Sequence, residues 1–211
     1  MRFKIRALAL ALMALAASSA VMASAAQAGL FTAENYPATL TGTQLSGHKF
    51  SFSNNYSVTC ANASFDAPLP EAAVAITVGA TYGECESNAG NEVTVQMTGC
   101  DYVFESLATL GEGEVDGRMH ILCPDGAGID FEDAGTGCEI KIGPQNFLNT
   151  LVFTNNGAAG DFDVDIEVVN IAYGQNAMCP GGAGMFGNGG YKGKSTITGD
   201  FEGEETGVKV D

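Results

Sequence analysis

The stretch from Cys100 to Cys123 constrains the fold of this chain most strongly, because its two halves match as the arms of a β-hairpin. Folding the chain about Gly111 and Glu112 brings compatible residues opposite each other on both faces. The pairs are Cys100 with Cys123, Tyr102 with Ile121 and Phe104 with Met119 on one face, and Asp101 with Leu122, Val103 with His120 and Glu105 with Arg118 on the other. The last pair joins opposite charges, which stabilise facing strands by roughly 0.2–1 kcal/mol. One register satisfies both faces, so the sequence predicts an antiparallel hairpin.

All six cysteines follow residue 28, and an even number of cysteines in an exported chain is typical of disulfides. The hairpin register favours Cys100–Cys123, and proximity in sequence favours Cys60–Cys85. Cys138–Cys179 is the pair that remains. Six cysteines allow many other connectivities, so the pairing stays open at this point. Catalytic or zinc-binding thiols are the alternative, but the chain has no CxxC or CxxH spacing.

Residues 1–28 have the three parts of a secretory signal peptide, namely a basic start, an apolar run and small residues before a cleavage site. We expect cleavage after Ala28. The apolar run, residues 7–17, is too short to cross about 30 Å of hydrocarbon, so a membrane anchor is the weaker alternative. The sequence therefore predicts one exported domain, residues 29–211, without a membrane anchor, in the periplasm, at the cell surface or in the medium.

The chain is acidic, with nine basic and 25 acidic residues and a formal net charge of −16. Loss of residues 1–28 removes three basic residues and no acidic one, which leaves six against 25 and a charge of −19. Nucleic acids and anionic membranes are bound by basic surfaces. The charge thus argues against both partners and favours solubility.

Short segments that alternate apolar and polar residues recur along the chain between Gly and Asn turns, as in residues 73–82, 147–154 and 191–198. This pattern is typical of strands. We expect irregular structure where Pro68 and Pro70 lie, and in the glycine-rich stretch 180–190. The predicted fold is all-β, an antiparallel β-sandwich or flattened barrel of about ten or more short strands stapled by disulfides. A parallel β-helix is the alternative, but no repeat length supports it.

Four carboxylates share one face of a predicted strand and are the best candidates for a cation site. They are Asp161, Asp163, Asp165 and Glu167. Their spacing resembles the start of an EF-hand loop, but Ile166 and Ala172 occupy the positions where that loop needs Gly and Glu. No cofactor is expected, although calcium could still bind weakly with oxygens from other loops. The simpler interpretation is a solvated strand face whose like charges discourage edge pairing.

Candidate catalytic residues are few. The chain has no GxSxG motif, and its only two histidines, His48 and His120, are interpreted as ordinary strand residues. A pair of carboxylates could serve a glycosidase, but sequence does not reveal the spacing that such a pair needs. The chain also lacks Trp, the usual platform for sugars, although Tyr can replace it. No catalytic residue is predicted.

Several segments resemble a group of uncharacterised exported six-cysteine β proteins of soil bacteria. The segments are YPATL at 36–40, TYGEC at 81–85, TGCDYVF at 98–104 and CEIKIG at 138–143. The resemblance implies export and disulfides, but it implies no activity and assigns no functional residue.

The function expected from the sequence is that of an exported, non-enzymatic structural or binding module for an extracellular or cell-surface ligand. One alternative is a secreted hydrolase, possibly directed at glycans, that uses paired carboxylates. Another is a calcium-dependent adhesive domain built on Asp161, Asp163 and Asp165.

Overall fold

The computed structural model describes residues 28–157 and 160–211, so the predicted signal peptide lies outside the described residues except for Ala28. The strands are β1 Phe31–Ala33, β2 Ala38–Ser51, β3 Ser57–Leu69, β4 Ala75–Ser87, β5 Glu92–Gln96, β6 Asp101–Gly111, β7 Glu114–Leu122, β8 Ile129–Asp133, β9 Cys138–Ile142, β10 Gln145–Asn155, β11 Phe162–Gln175, β12 Gly184–Phe201, β13 Glu204–Thr206 and β14 Val208–Val210. A short 3-10 turn, Ser53–Asn55, joins β2 to β3. The predicted all-β fold is confirmed. No helix in the described part of the chain is long and apolar enough to cross a membrane.

Eight of these strands close into an antiparallel barrel. Their order around the barrel is β2, β3, β4, β6, β7, β10, β11 and β12, and β12 then pairs again with β2. Of the two architectures that the sequence predicts, the structure is the barrel. The strands are longer than expected, because β2, β3, β4, β11 and β12 each have 13 to 18 residues.

These five long strands run the full height of the barrel. Between β4 and β11 the wall consists of shorter strands arranged in two tiers. In the lower tier, β6, β7 and β10 connect β4 to β11, starting from residues 75–78 of β4. In the upper tier, β5, β8 and β9 make it, starting from residues 85–86. The chain crosses between the tiers three times, at residues 97–100, 123–128 and 143–144.

The expectation of irregular structure around Pro68 is wrong. Strand β3 continues to Leu69, with Pro68 opposite Thr39 of β2. The ladder between β3 and β4 stops at Asp66 and Gly79, just before the proline. A residue without an N–H is tolerated where a ladder ends.

The glycine-rich stretch is also more regular than expected, since β12 begins at Gly184. Glycine is needed there because β11 and β12 pack closely. A Cβ atom at Gly189 would lie 2.8 Å from the carbonyl oxygen of Ile171. The absence of side chains, interpreted from sequence as a loop signal, instead permits a tight strand pair.

The predicted hairpin is confirmed as β6 and β7. All the predicted pairs from Asp101 with Leu122 to Glu105 with Arg118 occur in the structure. Towards the turn the register shifts after Ser106, so the turn lies at Glu112 and Gly113, one residue later than predicted. Cross-strand packing thus determines the register, while bulges adjust the end of the hairpin.

Three disulfides form, with the pairing that the sequence favours. They are Cys60–Cys85, Cys100–Cys123 and Cys138–Cys179. The first joins β3 to β4, the second clamps the open end of the β6–β7 hairpin where the chain crosses between tiers, and the third ties β9 to the loop before β12. Three disulfides fit a protein of an extracellular or periplasmic compartment.

Aromatic side chains fill the barrel. The ring of Phe50 stacks on Tyr191 with centroids 4.5 Å apart, and Phe31 of β1 packs edge-on against Phe153 at 5.1 Å. The void in the lower barrel beside Phe65 measures only about 10 Å³. Since this volume barely holds one water molecule, it offers no space for a ligand.

Candidate functional site

Strand β10 carries two bulges beside β7. Asn146 and Phe147 together lie opposite the single residue His120, and Thr150 is an extra residue between Asn149 and Leu151. A one-residue bulge bends a strand and redirects the side chains beyond it. Bulges of this kind are common next to binding and active sites, so this part of the wall is a candidate site.

The backbone in this region is strained. Most non-glycine residues with positive φ in the described chain lie in turns, and only four lie within strands. Three of these four are Phe147 at φ 59°, Thr150 at φ 85° and Asn170 of β11 at φ 61°. Bulky and β-branched residues rarely adopt this conformation. Strain that the surrounding structure maintains is concentrated at functional sites, so the cluster favours a functional role.

The bulge at Thr150 explains why Phe147 faces outward. Leu151 and Phe153 face the core, and strict alternation would direct Phe147 inward as well. The extra residue reverses this parity, so that Leu148 is buried and the Phe147 side chain is 62% exposed. An aromatic ring has thereby been turned from the core to the surface.

Three side chains of the β6–β7 hairpin hold Phe147 in place. The Arg118 guanidinium lies over its ring at 4.8 Å, and the His120 ring packs against it at 5.2 Å. Glu105 accepts two hydrogen bonds from Arg118, at 2.7 and 2.8 Å, and lies 3.2 Å from His120 Nε2. The hydrogen bond from Arg118 is the main reason why the pKa of Glu105 is lowered. His120 Nδ1 lies 3.2 Å from Asn146 Oδ1 and 3.4 Å from the Phe147 backbone nitrogen.

A groove separates this part of β10 from β11, and we call it the β10–β11 groove. It has a volume of about 430 Å³ and is lined by Gln145, Asn146, Phe147, Leu148, Asn149, Thr150, Val169 and Asn170. Its lower end is closed where the β10–β11 ladder resumes at Leu151 and Ile166. Its upper end is closed by the Gln145 side chain, whose amide donates to the Ala172 carbonyl at 2.9 Å and accepts the Ala172 N–H at 2.7 Å. The groove is a bounded site in the wall of the barrel.

Of the four acidic candidates, Asp163, Asp165 and Glu167 lie on β11 below this groove, whereas Asp161 precedes that strand. Asp163 pairs with Lys194 at 3.1 Å, and Glu167 pairs with Lys192 at 3.4 Å. Burial would raise the pKa of Asp163, but hydrogen bonds from Thr196, Asn156 and Lys194 outweigh it and lower the pKa. In the described chain, no group of three or more His, Cys, Asp or Glu side chains is arranged to hold a metal ion. The calcium site at Asp161, Asp163, Asp165 and Glu167 stays a prediction.

The other histidine, His48, lies in the core and belongs to a buried polar group that we call the His48 cluster. Its members are His48, Ser195, Tyr82, Tyr102 and Tyr191. His48 Nδ1 lies 2.7 Å from the Tyr191 hydroxyl and Nε2 lies 3.1 Å from Ser195 Oγ, while Tyr82 contacts the hydroxyls of Tyr191 at 2.7 Å and Tyr102 at 3.0 Å. Glycine at 193 leaves room for the imidazole, since a Cβ there would collide with the ring. Burial lowers the pKa of His48 to about 4, so the ring is neutral at physiological pH.

A larger concavity of about 550 Å³ lies at the lower end of the barrel between β1, β14 and the turn after β10. Glu34, Asp161 and Lys209 are among its lining residues. Gly157 and Gly160, which flank the two residues that the structure does not describe, also line it. No site is assigned to a concavity whose lining is described only in part.

Comparisons with family models, with curated proteins and with solved structures find no match to this chain. The β10–β11 groove is therefore interpreted from its own geometry.

Sequence reasoning found the strand that carries Phe147 but did not identify the groove. The available signal was the run of amides at Gln145, Asn146 and Asn149, which interrupts the apolar alternation of that strand. Asn170 on β11 gives a similar signal, because the apolar series that includes Val168 breaks at this residue and resumes with the other parity at Ile171. The two walls of the groove are about 20 residues apart in sequence and meet only in the fold.

Proposed function

We propose that this protein is an exported, non-enzymatic binding module that holds a small ligand in the β10–β11 groove. The observation that carries the proposal is the outward, supported position of Phe147 on a strained backbone at the edge of a bounded groove. Strain costs folding stability, and it persists where the arrangement that it produces is useful. The filled barrel and its disulfides make a rigid frame, which limits the entropy lost on binding.

Export is part of the proposal. It is supported by the signal-like character of residues 1–28 and by three disulfides, which persist in oxidising compartments. Expression of the full chain in a bacterium, followed by N-terminal sequencing of the exported product, tests this part. We expect the product to begin at Gly29, while a product that retains residues 1–28 in the cytoplasm would contradict export.

Fewer observations support the two alternative functions, the hydrolase and the calcium-dependent adhesive domain. A hydrolase needs a carboxylic acid that can donate a proton, whereas Asp163 is kept ionised by its hydrogen bonds. Calcium-dependent adhesion needs free carboxylates, whereas Lys194 and Lys192 pair with two of the four candidates. Melting curves in millimolar calcium and in chelator distinguish the adhesive domain, since a calcium site would raise the melting temperature.

The binding function is tested by titrating the oxidised, exported protein with small probes of four classes while recording backbone amide NMR spectra. The probes are the disaccharide cellobiose, the dipeptide Gly-Phe, the nucleoside adenosine and the fatty acid hexanoate. We expect at least one probe to shift the amide signals of residues 145–150 and 169–172 in a saturable manner. The proposal is overturned if all four leave these signals unchanged or shift only signals elsewhere.

A further inference from the structure

We propose that the ligand of the β10–β11 groove is a neutral saccharide, bound as a disaccharide or as the end of a longer glycan. This inference rests on the proposed binding function and adds the class of ligand. It is carried by three properties of the groove, which are the chemistry of its lining, the position of the Phe147 ring and the closure of both ends.

The lining combines amides with apolar groups and contains no charged side chain. Five of its eight residues are neutral and polar, namely Gln145, Asn146, Asn149, Thr150 and Asn170. Gln145 is already bonded to the Ala172 backbone and Asn146 Oδ1 lies 3.2 Å from His120 Nδ1. The amides of Asn149 and Asn170 can each offer donors and an acceptor, a set that matches neighbouring hydroxyl groups of a sugar. An uncharged lining is notable in a chain of net charge −16. It fits a ligand that is rich in hydroxyl groups and carries no charge.

The Phe147 ring supplies an apolar surface for such a ligand. Arg118 covers one face of the ring and His120 packs against it at a steep angle, with 66° between the two ring planes. Since the side chain is still 62% exposed, ring surface remains available beside the groove. A pyranose has one face of C–H groups, which packs on an aromatic ring while its hydroxyls reach polar partners. Phe147 can thus serve as the platform that the absence of Trp left unassigned.

The closed ends of the groove favour a saccharide over an extended peptide. A peptide that adds to a sheet edge needs an open edge along which it can run. Here the ladder at Leu151 and the Gln145 side chain block the strand direction at both ends. The volume of about 430 Å³ lies within the range of small-molecule sites. A short ligand or a chain end fits this space better than a passing strand.

Charge further limits the kind of saccharide. Asp165 and Glu167 lie on the stretch of β11 that leads to the groove, and the whole chain is strongly acidic. An acidic glycan would be repelled by this field. The preferred ligand is therefore neutral rather than a uronic acid or a sulfated sugar.

The test uses the oxidised, exported protein and NMR titrations with three neutral disaccharides, namely cellobiose, maltose and N,N′-diacetylchitobiose. Digalacturonate serves as the acidic probe and Gly-Phe as the peptide probe. We expect at least one neutral disaccharide to shift the groove signals saturably, and digalacturonate to bind about tenfold more weakly or not at all. Phe147→Gly should weaken the binding of that disaccharide about tenfold or more. Leu45→Ala, which removes another exposed apolar side chain on distant β2, is the matched control and should bind as the wild type does.

The outcomes separate this inference from the proposed function. If Gly-Phe shifts the groove signals and the three neutral disaccharides do not, the saccharide inference is wrong while the binding module stands. If none of these probes acts at the groove, and adenosine and hexanoate also fail, both proposals are wrong. Undiminished binding of a disaccharide by Phe147→Gly would overturn the role of the Phe147 ring.

Discussion

The barrel strands carry two polar regions, the His48 cluster in the core and the β10–β11 groove on the outer surface, and the two are built in opposite ways. In the His48 cluster, the ring nitrogens and the tyrosine hydroxyls find partners within the core. In the groove, Asn149, Thr150 and Asn170 present exposed side chains on a strained backbone. A satisfied buried network strengthens a fold and makes it specific. Exposed polar groups on a strained frame do neither, and the proposed ligand site rests on this contrast.

Replacing one aromatic residue in each region with alanine should give the largest difference in stability between the two regions. Tyr191→Ala should destabilise the protein by about 3–5 kcal/mol, because it leaves a cavity and removes partners of His48 and Tyr82. Phe147→Ala should change stability by about 0.5 kcal/mol or less, as is usual for an exposed residue. Urea unfolding of the two variants measures the difference. Equal losses would mean that the groove is part of the structural core.

The second-largest effect is expected from acidification, which should lower the stability of the protein through His48. Burial lowers the pKa of His48 to about 4, whereas an unfolded histidine titrates near 6.5. Between these values the unfolded chain binds a proton that the folded chain does not. Stability should thus be full above about pH 6.5, fall by about 2–3 kcal/mol as the pH drops to about 4, and lose nothing further from this group below that.

The measurement is the free energy of unfolding from pH 7 to pH 4 for the wild type and for His48→Gln. The difference between the two curves isolates the contribution of His48 from that of the acidic residues. Parallel curves would show that His48 is already accessible to protons in the folded state.

Gln145→Ala tests whether this side chain closes the upper end of the groove. The change removes both hydrogen bonds to the Ala172 backbone and should cost about 1 kcal/mol, since each bond is exposed at the edge of the site. Hydrogen exchange of the Ala172 amide should become faster at the same time. Asn149→Ala is the control and should leave that exchange rate unchanged. An unchanged rate in Gln145→Ala would mean that the side chain does not close the groove.

The smallest effect on stability is expected for Phe147→Gly. Glycine adopts a φ of 59° without strain, and this gain offsets both the lost contacts of the ring and the greater freedom of the unfolded chain. Stability should stay within about 0.5 kcal/mol of the wild type, while the proposed binding of a neutral disaccharide should weaken about tenfold or more. A large loss of stability would show that Phe147 supports the fold rather than a ligand.

Local patterns in the sequence predicted the parts of the fold that depend on nearby residues. The register of β6 on β7 followed from matching side chains on both faces of one hairpin, and Glu105 indeed faces Arg118. The Cys100–Cys123 disulfide followed from the same register. Period-two alternation also located most other strands. It failed at Pro68 and at Gly184, where the neighbouring strand rather than the residue itself decides whether a strand continues.

The sequence by itself determined an all-β chain, its central hairpin and the Cys100–Cys123 disulfide, because alternation and facing residues act over short distances. Only the tertiary structure decided that eight strands close into a barrel with two tiers, since closure depends on pairing between distant segments such as β2 and β12. It also decided that Phe147 faces outward. One extra residue at Thr150 reverses the alternation, and its position depends on how β10 pairs with β7 and β11, which are separate segments of the chain.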